Sequence, residues 1–196
     1  MPTGVARCPA VSQSGQPGGV ADIDVITTDE ASADLLAEIR RLLLTAFAGH
    51  FADEDWEHAL GGWHAVVSEG GTVLSHAAVV PRVIHVGEQP FRTGYVEGVA
   101  TTSTREGEGL GSLAMARIGD VVRREFEMGA LSTGRHDFYG RLGWERWQGP
   151  TFARTGTGLI RTEEDDDGVM VLRFGPSAAV ELGAPLSCPA RPGDDW

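Results

Sequence analysis

Residues 104–115 read "TREGEGLGSLAM", with glycines at 107, 109 and 111 followed by apolar residues at helical spacing. Glycine inside a helix costs roughly 1 kcal/mol relative to alanine, so its crowding where a helix begins needs a reason. The first N–H groups of a helix have no intrahelical partner, and the helix dipole adds partial positive charge there. Glycines let such a backbone approach an anion closely, because no Cβ intervenes. The stretch reads as an anion cradle. Its place in the chain separates it from two other phosphate-binding loops. A dinucleotide fold carries its glycine loop after the first strand of a parallel sheet, and a P-loop needs Gly-Lys-Ser/Thr. Neither pattern is present.

The segments around the loop alternate between strand and helix signals. "IDVITT" (23–28) predicts a strand, and Thr28 or Asp29 can cap the helix "EASADLLAEIRRLLLTAF", whose apolar face is Leu35, Ile39, Leu42, Leu43 and Ala46. "ADEDWEHAL" (52–60) predicts a short helix stopped by Gly61 and Gly62. "WHAVVSE", a Gly-Gly turn at 70–71 and "TVLSHAAVV" form a hairpin, which "GEQP" turns into a third antiparallel strand, "FRTGYVEGVAT" (91–101). After the glycine loop, Leu110, Leu113, Ala114, Ile118, Val121, Val122 and Phe126 recur every three or four residues. "ALST" (130–133) reads as a strand and "HDFYGRL" (136–142) as a brief helix. "WERWQG", "FARTG" and "VMVLRF" supply further strands around an acidic loop, "RTEEDDDG". The expected order is β-α-α-β-β-β-α-β-α-β with more strand after it: an α/β (α+β) fold with a mostly antiparallel mixed sheet flanked by helices.

With 196 residues, the chain suits one domain over 21–196. Residues 1–20, rich in Gly, Pro, Ser and Gln, read as a flexible leader without the apolar block of a secretory signal. No run of about 18 apolar residues occurs, so no membrane partner is expected. The net charge of −12 excludes the basic footprint of a nucleic-acid binder and favours cationic ligands. Cys8 and Cys188 form no metal spacing or CxxC pair, which suits a reducing, cytoplasmic setting. The histidines show no paired ligand spacing, and no metal is expected.

A glycine loop after the last strand of a meander resembles the coenzyme A loop of the GNAT acetyltransferase family, Gln/Arg-x-x-Gly-x-Gly/Ala. In "EGEGLG" (106–111), Gly109 and Gly111 hold the two small positions, while Glu106 stands where the family has Gln or Arg. Glu106 removes a donor near phosphate and adds repulsion, which neighbouring Arg105 offsets. The segments "AFAGHF…DWEHALGG" (46–62), "GYVEGVA" (94–100), "GALS" (129–132), "LGW" (142–144), "GPT" (149–151), "DDDG" (165–168) and "GDDW" (193–196) narrow the resemblance to aminoglycoside 2′-N-acetyltransferases. It spans roughly residues 23–196.

The resemblance implies acetyl-CoA as cosubstrate, held by Arg105, Gly107, Gly109, Leu110, Gly111 and Ser112, with the backbone of Val99 and Thr101 pairing with the pantetheine arm. An N–H there can serve the oxyanion. It also implies that Glu97 acts as base, through a water, and that Tyr139 donates to the departing thiolate. Simple strand alternation places Tyr95, Glu97 and Val99 on one face. The substrate side implied is His50, Asp55, Gly98, Ser132, Asp166, Asp194 and Trp196 with its terminal carboxylate, since carboxylates hold ammonium groups well. His50 replaces a family aspartate, and "STGRHDFYG" is about two residues short. Both departures suit a smaller drug such as kasugamycin as an alternative to the gentamicin–tobramycin type. The chain fits two further functions: acetylation of a polyamine or peptide N-terminus, and non-catalytic binding of a drug or acyl-CoA. Family members often pair through late strands, so a homodimer is expected.

Overall fold

The computed structural model describes residues 21–196; the leader expected at 1–20 lies outside them. The strands are β1 (Asp22–Thr27), β2 (Trp63–Glu69), β3 (Thr72–Val86), β4 (Gln89–Thr101), β5 (Met128–Ser132), β6 (Glu145–Arg146), β7 (Thr151–Thr155), β8 (Gly158–Arg161), β9 (Val169–Arg173) and β10 (Leu186–Pro189). The α-helices are α1 (Ala33–Ala46), α2 (Asp53–His58), α3 (Leu110–Glu125) and α4 (His136–Gly140). The order expected from sequence is present, and the sheet is mixed as expected. β8 and β10 are additions: each is four residues long, too short to show a clear alternation.

β1 to β4 form an antiparallel meander around the long strand β3. β3 carries β4 along one edge and shares its other edge between β2 and β10. Beyond β4 come β5, β9 and β6; beyond β10 come β7 and β8. Two pairings are parallel, β4 with β5 and β10 with β7.

Helix α1 begins later than the sequence suggests. Its cap is Ser32, whose Oγ accepts from the Leu35 N–H at 3.2 Å. Thr28 is engaged elsewhere, and Glu30 closes a turn by accepting from the Thr27 N–H and hydroxyl. Ile39, Leu42 and Leu43 pack on Val66, Val73 and Ala100, while Ala46 is exposed. On the other face, Ala114, Met115, Ile118 and Val122 of α3 pack on Ala65, Val67, Ala77, Val79 and Val96. A third cluster joins Val80, Tyr95, Val171, Leu186 and Trp196, tying the chain terminus to the sheet.

Two irregularities open the fold. β4 pairs with β5 only over Thr93–Tyr95, although β4 continues to Thr101 and β5 to Ser132. The two strands therefore diverge, and among the described residues the rest of that β4 edge carries no ladder. The β3–β4 register also jumps: His76 faces Ala100, but Ala78 faces Glu97. Gly98 and Val99 thus oppose Ala77 alone, a β-bulge with Gly98 in the left-handed region (φ 54°) that glycine tolerates.

Candidate active site

The diverging strands frame two cavities of about 620 and 550 Å³, which meet at Val99, Ala100, Thr101, Glu106, Gly134, Arg135 and Tyr139. The first lies over the glycine loop. All eight residues expected to hold a cofactor line it: Val99, Thr101, Arg105, Gly107, Gly109, Leu110, Gly111 and Ser112. Gly109 is the N-cap of α3, at φ 85°, with no side-chain cap, so the first helix amides are left for a ligand. Gly107 has φ 83°, and a Cβ on either glycine would enter open space. Glycine at these two positions is thus required by backbone conformation. At Gly111 the reason is contact: a Cβ there would sit 3.1 Å from Thr101 Oγ1. An uncapped α3 terminus, open glycines and a free β4 edge fit a diphosphate with an extended amide-bearing arm.

Arg105 is less available than the sequence suggests. It donates from Nε to Glu108 at 2.7 Å and from Nη1 to Glu69 at 2.8 Å. Those two carboxylates keep its charge largely compensated, so the cradle depends chiefly on backbone amides.

The second cavity holds Glu97, Gly98, His50, Asp55, Ser132, Asp194 and Trp196. Tyr139 belongs to both cavities, and burial pushes its hydroxyl up to about 12, which keeps the proton on oxygen. Its ring lies edge-on to Phe138 and Trp144. Asp55 caps α2, accepting from the Ala52 N–H at 2.7 Å.

Glu97 is mostly buried and accepts from Arg191 Nη1 at 2.8 Å. Burial raises its carboxyl above the ordinary range, and Arg191 offsets part of that rise. Arg191 also donates to the Asp194 carbonyl, and Arg82 donates to the carbonyls of Asp195 and Pro189. These bonds strap residues 189–196 across the sheet. Trp196 is 5% exposed and donates from its indole to Thr162 Oγ1 at 3.2 Å. The terminal tryptophan is docked.

Two expectations need correction. Asp166 does not line the cavity. It is held in an ion pair with Arg161 and accepts from the Thr151 N–H and hydroxyl, each at 2.9 Å. The pairing with Arg161 lowers its carboxyl to about 2, the mark of a structural anchor. Val99 does not share the face of Glu97. The bulge reverses the alternation, so Val99 packs toward α3 while Ala100 joins the α1 side.

Sequence reasoning missed Arg191, His58 and the aromatic pair Phe47 and Phe51, which stacks at 5.5 Å beside the acidic residues. Phe47 and Phe51 had a signal, an aromatic pair in "AFAGHF"; Arg191 had none, since it is 94 residues from Glu97.

The sequence pattern of the Acetyltransferase (GNAT) domain family matches residues 27–147, more than half of the chain. This chain belongs to the GNAT acetyltransferases. An aminoglycoside 2′-N-acetyltransferase from Mycolicibacterium fortuitum is 40% identical over 177 residues, 88% of this chain and 90% of that protein. Among solved structures, the GNAT family N-acetyltransferase YhbS from Escherichia coli, in complex with CoA, matches with a TM-score of 0.63 and 17% identity, covering 90% and 93% of the two chains. A GCN5-related N-acetyltransferase from Kribbella flavida matches at TM-score 0.54 and 23% identity over 66% of this chain; the chain spans about a third (35%) of that larger protein. These structural likenesses carry the GNAT fold. Among the described residues, no helix is long and apolar enough to cross a membrane.

Proposed function

We propose that this chain transfers the acetyl group of acetyl-CoA to the 2′-amine of an aminoglycoside. The observation that carries the reading is the junction of the two cavities. One side offers backbone amides for a diphosphate, the other offers Asp55, Glu97, Glu106 and Asp194 for a polyamine sugar. The extensive identity with a protein of that activity supports the same conclusion.

Acetyl-CoA supplies an activated thioester. The chain's residues then divide the work. Amides of residues 107–112 hold the diphosphate, and the free β4 edge at Val99 and Thr101 aligns the arm as an added strand. Asp55 and Asp194 receive ammonium groups, while the part of Trp196 that lines the cavity meets the sugar. Glu97 accepts the proton of the 2′-ammonium through a water; its raised basicity suits that task. The Val99 N–H donates to the acyl oxygen as negative charge builds there. The freed amine attacks the acyl carbon, and as the C–S bond breaks Tyr139 donates its proton to the departing sulfur and is reprotonated by the proton that the acylated nitrogen loses.

A ligand ammonium near Glu97 competes with Arg191 for the same carboxylate, so cationic substrate and tail exchange partners there. Edge strand β8 exposes Leu159 and Ile160, an apolar pair suited to pairing through late strands in a homodimer. Light scattering of the full chain, expected to give twice the monomer mass, checks that pairing.

Thiol release measured side by side with gentamicin, kasugamycin and spermidine tests the reading. Turnover with an aminoglycoside, acetylated at the 2′-nitrogen by NMR, is the expected result. Turnover with spermidine alone would move the activity to polyamines. Drug binding without any turnover would make the chain a sequestering protein.

A further inference from the structure

Two histidines outside the cavities form one continuous buried hydrogen-bonded chain that ends at the β4 bulge. His64 and His76 are both 0% exposed, diagonal neighbours on the α1 face of β2 and β3. Thr28 Oγ1 lies 2.8 Å from His64 Nε2, His64 Nδ1 lies 3.0 Å from His76 Nε2, and His76 Nδ1 lies 2.7 Å from the Gly98 carbonyl oxygen. Thr28 Oγ1 also accepts from the Gly61 N–H at 2.9 Å, and the Gly62 carbonyl, at 3.4 Å, is a weaker competitor than His64 for its proton.

The direction of this chain follows from chemistry. A carbonyl only accepts, so His76 carries its proton on Nδ1. Burial holds His64 down to about 4 and His76 to about 3, so both rings are neutral at working pH. His76 Nε2 then accepts from the His64 Nδ1–H, and His64 Nε2 accepts from the Thr28 hydroxyl. Every donor points toward Gly98. Aligned hydrogen bonds polarise one another, and here the sum falls on one peptide.

That peptide is Gly98–Val99. Its carbonyl is held on the histidine side, and in a planar trans peptide the N–H points the opposite way. The Val99 N–H therefore points away from His76, and Val99 itself lines both cavities. A hydrogen bond on the carbonyl oxygen shifts electron density from nitrogen and strengthens the N–H as a donor.

We propose that His76, backed by His64 and Thr28, is a positioning residue for acetyl transfer: it fixes and polarises the Gly98–Val99 peptide so that the Val99 N–H meets the acyl oxygen. The proposal rests on the acetyltransferase reading above and adds residues that touch no ligand.

The test compares His76→Leu, His76→Asn and Thr28→Val with the parent in steady-state acetylation of the best aminoglycoside. His76→Leu lowers kcat by about tenfold, below the 10²- to 10³-fold expected for losing an oxyanion donor outright. The KM for acetyl-CoA stays within roughly twofold. His76→Asn keeps an N–H near the position of Nδ1 and restores most of the rate. Thr28→Val gives a smaller loss and moves the Val99 amide proton upfield in NMR spectra. Nitrogen-15 spectra of the parent place both ring protons on Nδ1.

A His76→Leu protein with parental kcat overturns the proposal, as does an Nε2–H tautomer at His76. A kcat loss that His76→Asn does not relieve, accompanied by an equal loss of CoA affinity, assigns the chain to structure alone. Should His76→Leu fail to fold, the tautomers and the Thr28→Val amide shift decide the matter without turnover. Absence of activity in the parent removes the acetyltransferase reading first, and the catalytic role of the relay with it; an active parent with an indifferent His76→Leu removes the relay alone.

Discussion

The two cavities meet at one strand edge yet recognise by opposite means. The glycine-loop cavity relies on backbone: uncapped α3 amides, two glycines at positive φ and a free β4 edge, with Arg105 already committed to Glu69 and Glu108. The neighbouring cavity relies on side chains, chiefly carboxylates, placed by four separate parts of the chain: α2, β4, the glycine loop and the docked tail. Backbone recognition tolerates a change of side chain except where positive φ requires glycine, at 107 and 109; carboxylate recognition does not. Substitutions in the two regions are therefore expected to differ in size and in the parameter they move.

The largest effect falls at the junction. Glu97→Gln keeps a partner for Arg191 but removes the base, and kcat drops by about 10²- to 10⁴-fold with acetyl-CoA binding unchanged, as single-turnover and titration measurements would read. On the substrate side, Asp194→Asn raises the aminoglycoside KM by about 10- to 150-fold, the equivalent of one charge-assisted hydrogen bond of roughly 1.5–3 kcal/mol. An unchanged KM would detach the tail from recognition.

Arg191→Leu separates charge from geometry. Burial raises the Glu97 carboxyl and Arg191 counteracts that rise, so removing the cation raises it further. Since a base works only when deprotonated, the acidic limb of kcat/KM moves to higher pH in this variant; a shift to lower pH would contradict the pairing.

Asp166→Asn supplies the contrast. Asp166 is anchored by Arg161 and Thr151, so the substitution lowers thermal stability by about 1–3 kcal/mol while leaving the aminoglycoside KM alone. The depressed folded-state carboxyl also fixes the sign: its contribution is present above the ordinary aspartate range and is lost as pH falls toward about 2. The smallest effect lies in the glycine loop. Glu106→Gln removes a repulsive charge beside phosphate and lowers the acetyl-CoA KM by about two- to fivefold, while the loss of a carboxylate shared with the neighbouring cavity raises the aminoglycoside KM by a similar factor.

Those contrasts mirror what the sequence could reveal. The glycine loop was legible because positive φ leaves glycine as its trace at 107 and 109. The meander was legible because β2 to β4 are runs rich in apolar residues, bounded by turn signals at Gly70–Gly71 and Gly87–Glu88. The isolated glycine at 98 is the usual trace of a bulge, yet alternation alone put Val99 on the wrong face, since the phase reversal depends on pairing with β3. Asp166 illustrates a different limit: an acidic run looks alike whether it faces a ligand or Arg161. The Arg191–Glu97 pair and the histidine chain were illegible for one reason. Arg191 is 94 residues from Glu97, and although His64 and His76 share one hairpin, their links to Thr28 and Gly98 exist only through the fold.

The most direct test is a crystal structure of the chain with CoA and an aminoglycoside together. Diphosphate density against the amides of residues 107–112, with the drug's 2′-amine one water from Glu97, is the predicted result. Diphosphate seated away from α3, or a 2′-amine directed away from Glu97, would contradict it.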